Sequence, residues 1–280
     1  MKIEPLKGKK LKKFFKSLLF WIALILALSP FLFIFLWMVL SSFKNQFQNI
    51  CYPPLWIFKP TFENYIRVFR ETPFLKYFIN STIISGGATL VGLLFGIPAA
   101  YAIAQFRRKG IALLILILRI APGIMFLLPC FILFTKLGLI DTYPALVFMH
   151  LAISLPVIIW LTIGGFEEIP LELKEAAYID GCSNFGCFWR LELPLTKSFI
   201  TIAGLMSFIF CWNYFIFSLV LSQSNTTPLP VAVFNFVSYE TTEWGPLAAA
   251  SILITLPPTI LMMFIHRGFI KSFLTAGIKG

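Results

Sequence analysis

The sequence predicts an all-α integral membrane protein with six transmembrane helices, on three observations. Of its 280 residues 59% are hydrophobic and 12% are charged, about half the charged fraction of an ordinary soluble domain. Six apolar runs, at 18–40, 79–104, 111–134, 143–165, 199–221 and 246–265, match the ~20 residues that carry a helix across about 30 Å of hydrocarbon. The basic residues, finally, alternate in density from one connecting segment to the next. Unpaired backbone groups cannot face lipid, and the alternation of a barrel strand is absent, so the runs are expected to be helices.

In chain order, residues 1–17 form a basic tail with seven lysines. Lys12, Lys13 and Lys16 before an apolar core, with Ala27-Leu28-Ser29 after it, resemble a signal peptide. The run continues through Pro30 to Leu40, about twice the length of a signal core, and is therefore expected to stay as an anchor. Segments 1–17, 105–110, 166–198 and 266–280 together hold 16 Lys and Arg, whereas the alternate segments hold six (Lys44, Lys59, Arg67, Arg70, Lys76 and Lys136). Positive residues stay on the cytoplasmic side, so both termini are expected there, with 18–265 as one six-span domain. A net charge of +11 on so apolar a chain points to these loops and excludes a nucleic-acid binder.

The segment 41–78, expected outside, is rich in proline and aromatics. Thr61 can cap a helix in which Phe62, Tyr65, Ile66 and Phe69 make one apolar stripe beside polar Glu63, Asn64, Arg67 and Arg70, an interfacial helix. The segment 166–198 carries six of the twelve acids: Glu167, Glu168, Glu172, Glu175, Asp180 and Glu192. Pro170 suits a first helical position, the early glutamates suit a helix N-terminus, and Gly181 supplies a stop. Residues 170–180 are expected to form a short exposed helix, followed by an irregular linker and Pro194 at the entry to the fifth span. Such a helix is a handle for a soluble partner.

Within the spans, Arg119 is a charge at membrane depth and is expected to face the bundle interior or a wet cavity. Asn213 and Tyr214 can offer hydrogen bonds to a polar solute. His150 is expected to bond between helices, and Gly92 with Gly96, a G-x3-G pair, to allow close packing. The chain has no G-x4-G-K-[ST] phosphate loop, no paired nucleophile and base, and neither a zinc-ligand cluster nor a disulfide framework among its two His and five Cys. No catalytic, metal or cofactor residue is therefore expected.

Glu175-Ala176-Ala177, then Gly181, then Leu191 and Leu193-Pro194 resemble the E-A-A-x3-G-x9-I-x-L-P loop of ABC-importer permeases, with Leu191 in place of Ile and Cys182 where Ala is usual. The surrounding Ile169-Pro170-x-Glu172-Leu173 is similar to the carbohydrate-importer subgroup, the branch of the maltose permease G subunit. Further matching stretches run along most of the chain, among them Asn80-Ser81, 99–102, 137–143, Trp212-Asn213, Leu229-Pro230-Val231, Trp244-Gly245 and the tail 275–280. The resemblance implies a type I importer fold in the cytoplasmic (inner) membrane and half of a sugar or oligosaccharide path. It also implies a second permease, two ATPase subunits that carry the ATP and magnesium, and an extracytoplasmic solute-binding protein. It assigns ATPase coupling to Glu175, Ala176, Ala177, Asp180, Gly181, Leu193 and Pro194. In the family an Arg often precedes the Pro at 122, and Trp-Asn-Asp usually stands where this chain has Trp212-Asn213-Tyr214. Arg119 keeps a phosphorylated polyol open as an alternative solute. A secondary transporter would need buried acids, and the six spans contain no Asp or Glu.

Overall fold

The computed structural model describes the backbone of 6–120, 123–237 and 242–276, and within these the side chains from 15 to 263 except Lys109 and Asn235. Its regular elements are helices. α1 (Leu6–Ser42), α4 (Phe74–Gln105), α7 (Tyr143–Glu167) and α14 (Trp244–Ala276) are continuous. Among the described residues four helices are long and apolar enough to cross a bilayer, and six spans result if each of two bent helix pairs counts as one.

One bent pair divides the run 111–134 into α5 (Lys109–Ile120) and α6 (Ile124–Lys136), and the other joins residues 184–195 to α11 (Lys197–Asn213) across a bend of 72°. The run 199–221 is itself divided, into α11 and α12 (Ile216–Leu221), which corrects the expectation of six unbroken runs. Tyr214 is extended, at φ −80° and ψ 123°, and stops α11. A hydropathy run records only that 214–215 are apolar; it is blind to a local change of ψ.

The chain divides into two compact units. The first comprises residues 1–68 and 238–252 and contains α1, the short α2 (Gln46–Ile50), most of α3 (Glu63–Glu71) and the start of α14. Thr61 caps α3 by accepting from the Glu63 amide at 3.1 Å. The buried residues of α3 are Asn64 and Val68. Asn64 is buried and donates to the carbonyls of Ser42 (2.7 Å) and Lys44 (2.8 Å), whereas Phe62, Ile66 and Phe69 are exposed. The turn after α1 presents bare carbonyls that only an amide can satisfy, and satisfying them is worth more than burying another apolar stripe that lipid can cover equally well. Lys44 is fully buried with its Nζ over the Trp37 and Phe58 rings, 4.2 and 5.0 Å from their centroids. Burial lowers its pKa.

The second unit, 69–237 and 253–280, is built around α4, α7 and α11. Gly92 and Gly96 let α4 lie against Ser154 and Ile158 of α7: an added Cβ at Gly92 would fall on Ser154 Oγ and 2.8 Å from Ile158 Cδ1, and one at Gly96 lies 2.8 Å from Ile158 Cγ2. At this crossing Ser154 donates to the Ala88 carbonyl (3.1 Å), Ser207 of α11 donates to Ser154 Oγ (2.8 Å), and Thr89 and Ser207 share a 3.2 Å bond. Small residues and hydroxyls replace hydrophobic contact as the cement, as they must where the solvent is itself apolar. His150 is buried, with Nδ1 2.7 Å from the Leu146 carbonyl of its own helix, and its backbone carbonyl accepts from Cys211 Sγ of α11 at 3.7 Å.

The unit also contains a rigid loop after α12. Asp141 takes a left-handed φ of 59° before α7. One of its carboxylate oxygens accepts from the Gln223 amide (2.8 Å), the Thr226 amide (2.9 Å) and the Thr226 hydroxyl (2.7 Å), and the other accepts from the Asn225 amide (3.0 Å). Asn80 donates to the carbonyls of Asn225 and Thr227, and Lys76 to that of Ser224.

Candidate functional site

The segment between α7 and α11 carries the motif. α8 (Leu171–Ile179) is a nine-residue helix with Pro170 at its N-cap, one position before the first helical position expected. Glu172 lies in the first turn, where the free amides favour a negative charge. Asp180 is the C-cap, and the helix ends on Gly181 at φ +84°. The Gly181 amide bonds the Tyr178 carbonyl and the Cys182 amide bonds the Ala177 carbonyl, both at 3.0 Å, the paired closure of a Schellman motif. Glu175, Ala176 and Asp180 are exposed and Ala177 is half-buried, so the Glu-Ala-Ala face is free for a partner.

The linker that follows is not irregular. It forms α9 (Asn184–Cys187), a π-helical turn over Phe188–Glu192, and α10 (Leu193–Leu195) carrying Pro194 near its start. Ser183 caps α9 by accepting from the Gly186 amide at 3.1 Å, while Phe188 stacks on Tyr101 of α4 with centroids 4.7 Å apart. Buried aromatic packing thus pulls into helical turns a stretch whose composition reads as a loop.

The membrane candidates separate. Arg119 and Tyr214 line one cavity of 410 Å³ together with Gly123, Phe126, Phe210 and Phe217. Arg119 is exposed within the chain and rests its guanidinium 5.0 Å from the centroid of the Phe210 ring. The Tyr214 hydroxyl lies where any Cβ on Gly123 would be, so a larger residue there would have to displace the phenol. Asn213 is not in this wall: it is exposed, and its Nδ2 donates to the Ile209 carbonyl one turn back at 2.8 Å. The arrangement offers a cation, a phenol and three phenylalanine rings to whatever enters, and no nucleophile with its base.

A profile of the binding-protein-dependent transport system inner membrane component family matches residues 92–274, well over half of the chain. The chain belongs to this family. The permease is 35% identical over 274 residues to the trehalose/maltose transport system permease protein MalG of Thermococcus litoralis, covering 95% of this chain and 98% of that one. It is 31% identical over 268 residues to the trehalose transport system permease protein SugB of Mycobacterium tuberculosis, covering 87% and 97%. Its fold is similar to a chain in the crystal structure of a bacterial ABC transporter involved in the import of the acidic polysaccharide alginate, with a TM-score of 0.72 at 20% identity, covering 96% of this chain and all of that one. The tail match at 277–280 and Pro122 lie outside the described residues.

Two groups in the permease escaped the reading of its sequence. Lys174 is the one buried residue of α8, and its Nζ lies 2.7 Å from Oε2 of the fully buried Glu192. Cys187 Sγ donates to the other oxygen of Glu192 at 3.7 Å. Burial, then the nearby Glu192, pushes the Cys187 thiol up, and burial with Cys187 and Glu192 does the same to the Tyr178 phenol. The signal available was a lysine within an acidic helix, Lys174 between Glu172 and Glu175. The second group is Asp141: burial pushes its carboxyl up, but the hydroxyl of Thr226 and the amides of Gln223, Asn225 and Thr226 outweigh that and hold it below the usual carboxylate range.

Proposed function

We propose that this chain is half of the translocation path of an ATP-driven importer for a sugar or oligosaccharide, coupled through α8 to an ATPase. The observation that carries the reading is exposed Glu175 and Ala176, with half-buried Ala177 beside them, on a short helix closed by a left-handed Gly181. The two alanines admit a close surface and Glu175 offers it a charge. Leu193 and Pro194 then start the chain back into α11. The orientation follows from the lysines and arginines: both termini and α8 are cytoplasmic, and the loop anchored by Asp141 faces outside. ATP and magnesium belong to the partner, the chain itself being no enzyme. Solute arrives from an extracytoplasmic binding protein, and a second, different permease closes the path.

The trehalose, maltose and arabino-oligosaccharide systems named for relatives support a sugar as cargo, and so does the cavity. Flat apolar faces of a sugar ring stack on phenylalanine and tyrosine while Arg119 and the Tyr214 phenol bond its hydroxyls. A second reading, a phosphorylated polyol or other anionic solute, rests on Arg119, which has no carboxylate within ion-pair distance among the described residues. Uptake by Arg119→Gln separates the two: a neutral sugar loses a few-fold, whereas an anion loses most of its transport. Affinity purification from native membranes in mild detergent, with stoichiometry by mass spectrometry, tests the whole assembly. A second permease and two ATPase copies are expected; recovery of the chain alone, even after crosslinking, refutes it.

A further inference from the structure

The Glu-Ala-Ala face explains how α8 meets a partner, and leaves open what carries a push on α8 into the membrane helices. α8 stands largely clear of the fold. Leu171, Glu172, Leu173, Glu175, Ala176 and Ile179 are exposed, and Lys174 alone is buried. That single inward side chain makes the 2.7 Å ion pair with Glu192. Glu192 is the last residue of the π-helical turn, and such turns are rare and cluster at functional sites. Its surroundings tie it to two spans: the Tyr101 phenol of α4 lies beside it, and its backbone carbonyl accepts both the amide (3.0 Å) and the hydroxyl (2.8 Å) of Thr196, the residue before α11. From there α11 runs unbroken to Asn213 and the cavity residue Tyr214.

We propose that Lys174 and Glu192 are a pair of positioning residues that transmit displacement of α8 to α11, and that the pair sets how faithfully nucleotide-driven movement switches the cavity. The family motif leaves position 192 unspecified, so this assignment is additional to it; it rests on the reading of α8 as the ATPase contact. The physical reason is stiffness. Neither member of a buried ion pair can leave the other without exposing an uncompensated charge to a poor solvent, so α8 and the turn before α11 move together. An apolar contact of the same size could slide. Of the other residues of α8, only Ala177 and Tyr178 are even half-buried.

The test uses the assembled importer in proteoliposomes and needs no knowledge of the solute. In a background with Cys51, Cys130 and Cys182 replaced and the buried Cys187 and Cys211 kept, Ala152→Cys places a label site in the cavity wall. An impermeant maleimide then reads which side the cavity faces, without nucleotide and after trapping with ATP and vanadate. Coupling of the ordinary strength changes labelling by about 5-fold or more. Lys174→Met and Glu192→Gln are expected to abolish most of that change while the ATPase still co-purifies and hydrolyses ATP; Lys174→Arg is expected to keep it. The double variant Lys174→Met/Glu192→Met removes both charges, and so separates misfolding from transmission. If it restores thermal stability but not the switch, the pair transmits; if it restores the full switch, the pair merely fills space and the proposal is overturned. Glu175→Lys tests the underlying reading on its own: unchanged ATPase association and switching there would show that α8 is not the contact, whatever the pair does.

Discussion

Replacing Gly92 with alanine tests the packing argument where opposing effects can be compared. On helix preference alone the substitution stabilises by about 0.5–1 kcal/mol. Against that, the new methyl would fall on Ser154 Oγ and press Ile158 Cδ1 at 2.8 Å, and overpacking of a close crossing costs about 1–3 kcal/mol. Moving Ser154 aside also breaks its bonds to Ala88 and Ser207, about 0.6 kcal/mol each at membrane depth. The sum is a net loss of about 1–4 kcal/mol. The assay is a two-variant cycle read by unfolding in detergent. Ser154→Ala alone loses the two bonds, about 1 kcal/mol. Because it also removes the oxygen that the methyl strikes, Gly92→Ala/Ser154→Ala should fall short of the sum of the single effects by about 1–2 kcal/mol. A stabilised Gly92→Ala, or strict additivity, would refute the close approach of α4 and α7.

Three further outcomes follow from single residues. Gly181→Ala meets no neighbour within 4 Å, yet φ is +84°, so the cost is conformational, about 1–2 kcal/mol; reduced ATPase co-purification, partly recovered by Gly181→Asn, is the expected readout. Asn64→Leu strands the carbonyls of Ser42 and Lys44 and should lower stability by about 1–3 kcal/mol in a thermal melt. Asp141 has a depressed pKa, so its contribution is complete above the ordinary carboxylate range and disappears as pH falls through the folded value. Hydrogen exchange at the Gln223, Asn225 and Thr226 amides, corrected for intrinsic rate, should therefore accelerate only in acid, whereas Asp141→Asn exchanges fast at neutral pH. Slow exchange in that variant would contradict the role given to the carboxylate.

The helical class, the helix 170–180 and its stop at Gly181 were legible because each rests on local chemistry: continuous apolar length, a proline before a helix and a glycine after it. Burial was less legible. The apolar stripe of α3 was read as the face of an interfacial helix; what hydropathy could not report is that polar Asn64 turns inward, because an apolar face in a membrane protein has two acceptable destinations and Asn64 has one. Lys174 and Glu192 are eighteen positions apart, and no periodicity reports that one reaches the other. Arg119 and Tyr214 were singled out as polar groups within apolar runs, yet that they share a cavity while Asn213 does not follows from the extended ψ at 214, which turns neighbouring side chains apart.

The breaks themselves carry an argument. In a bilayer, non-helical backbone is tolerated only where protein buries it or a wet cavity receives its free amides and carbonyls. α6 begins after Gly123 and α11 ends before Tyr214, and both residues line the same 410 Å³ cavity. A hydropathy scan sees each break as a defect in a span, whereas the cavity makes them tolerable. A cavity open to polar solute or water would offer partners to backbone that helix bonds have released. Filling the site with a branched side chain should then harm the fold more than removing one hydroxyl from it. Gly123→Val, which would drive a branched side chain onto the Tyr214 hydroxyl, is expected to lower both stability and uptake. Tyr214→Phe keeps the ring and its 5.2 Å contact with Phe217, and should lower uptake alone. Equal thermal losses in the two would mean that Tyr214 is there for packing and that the cavity is not the path.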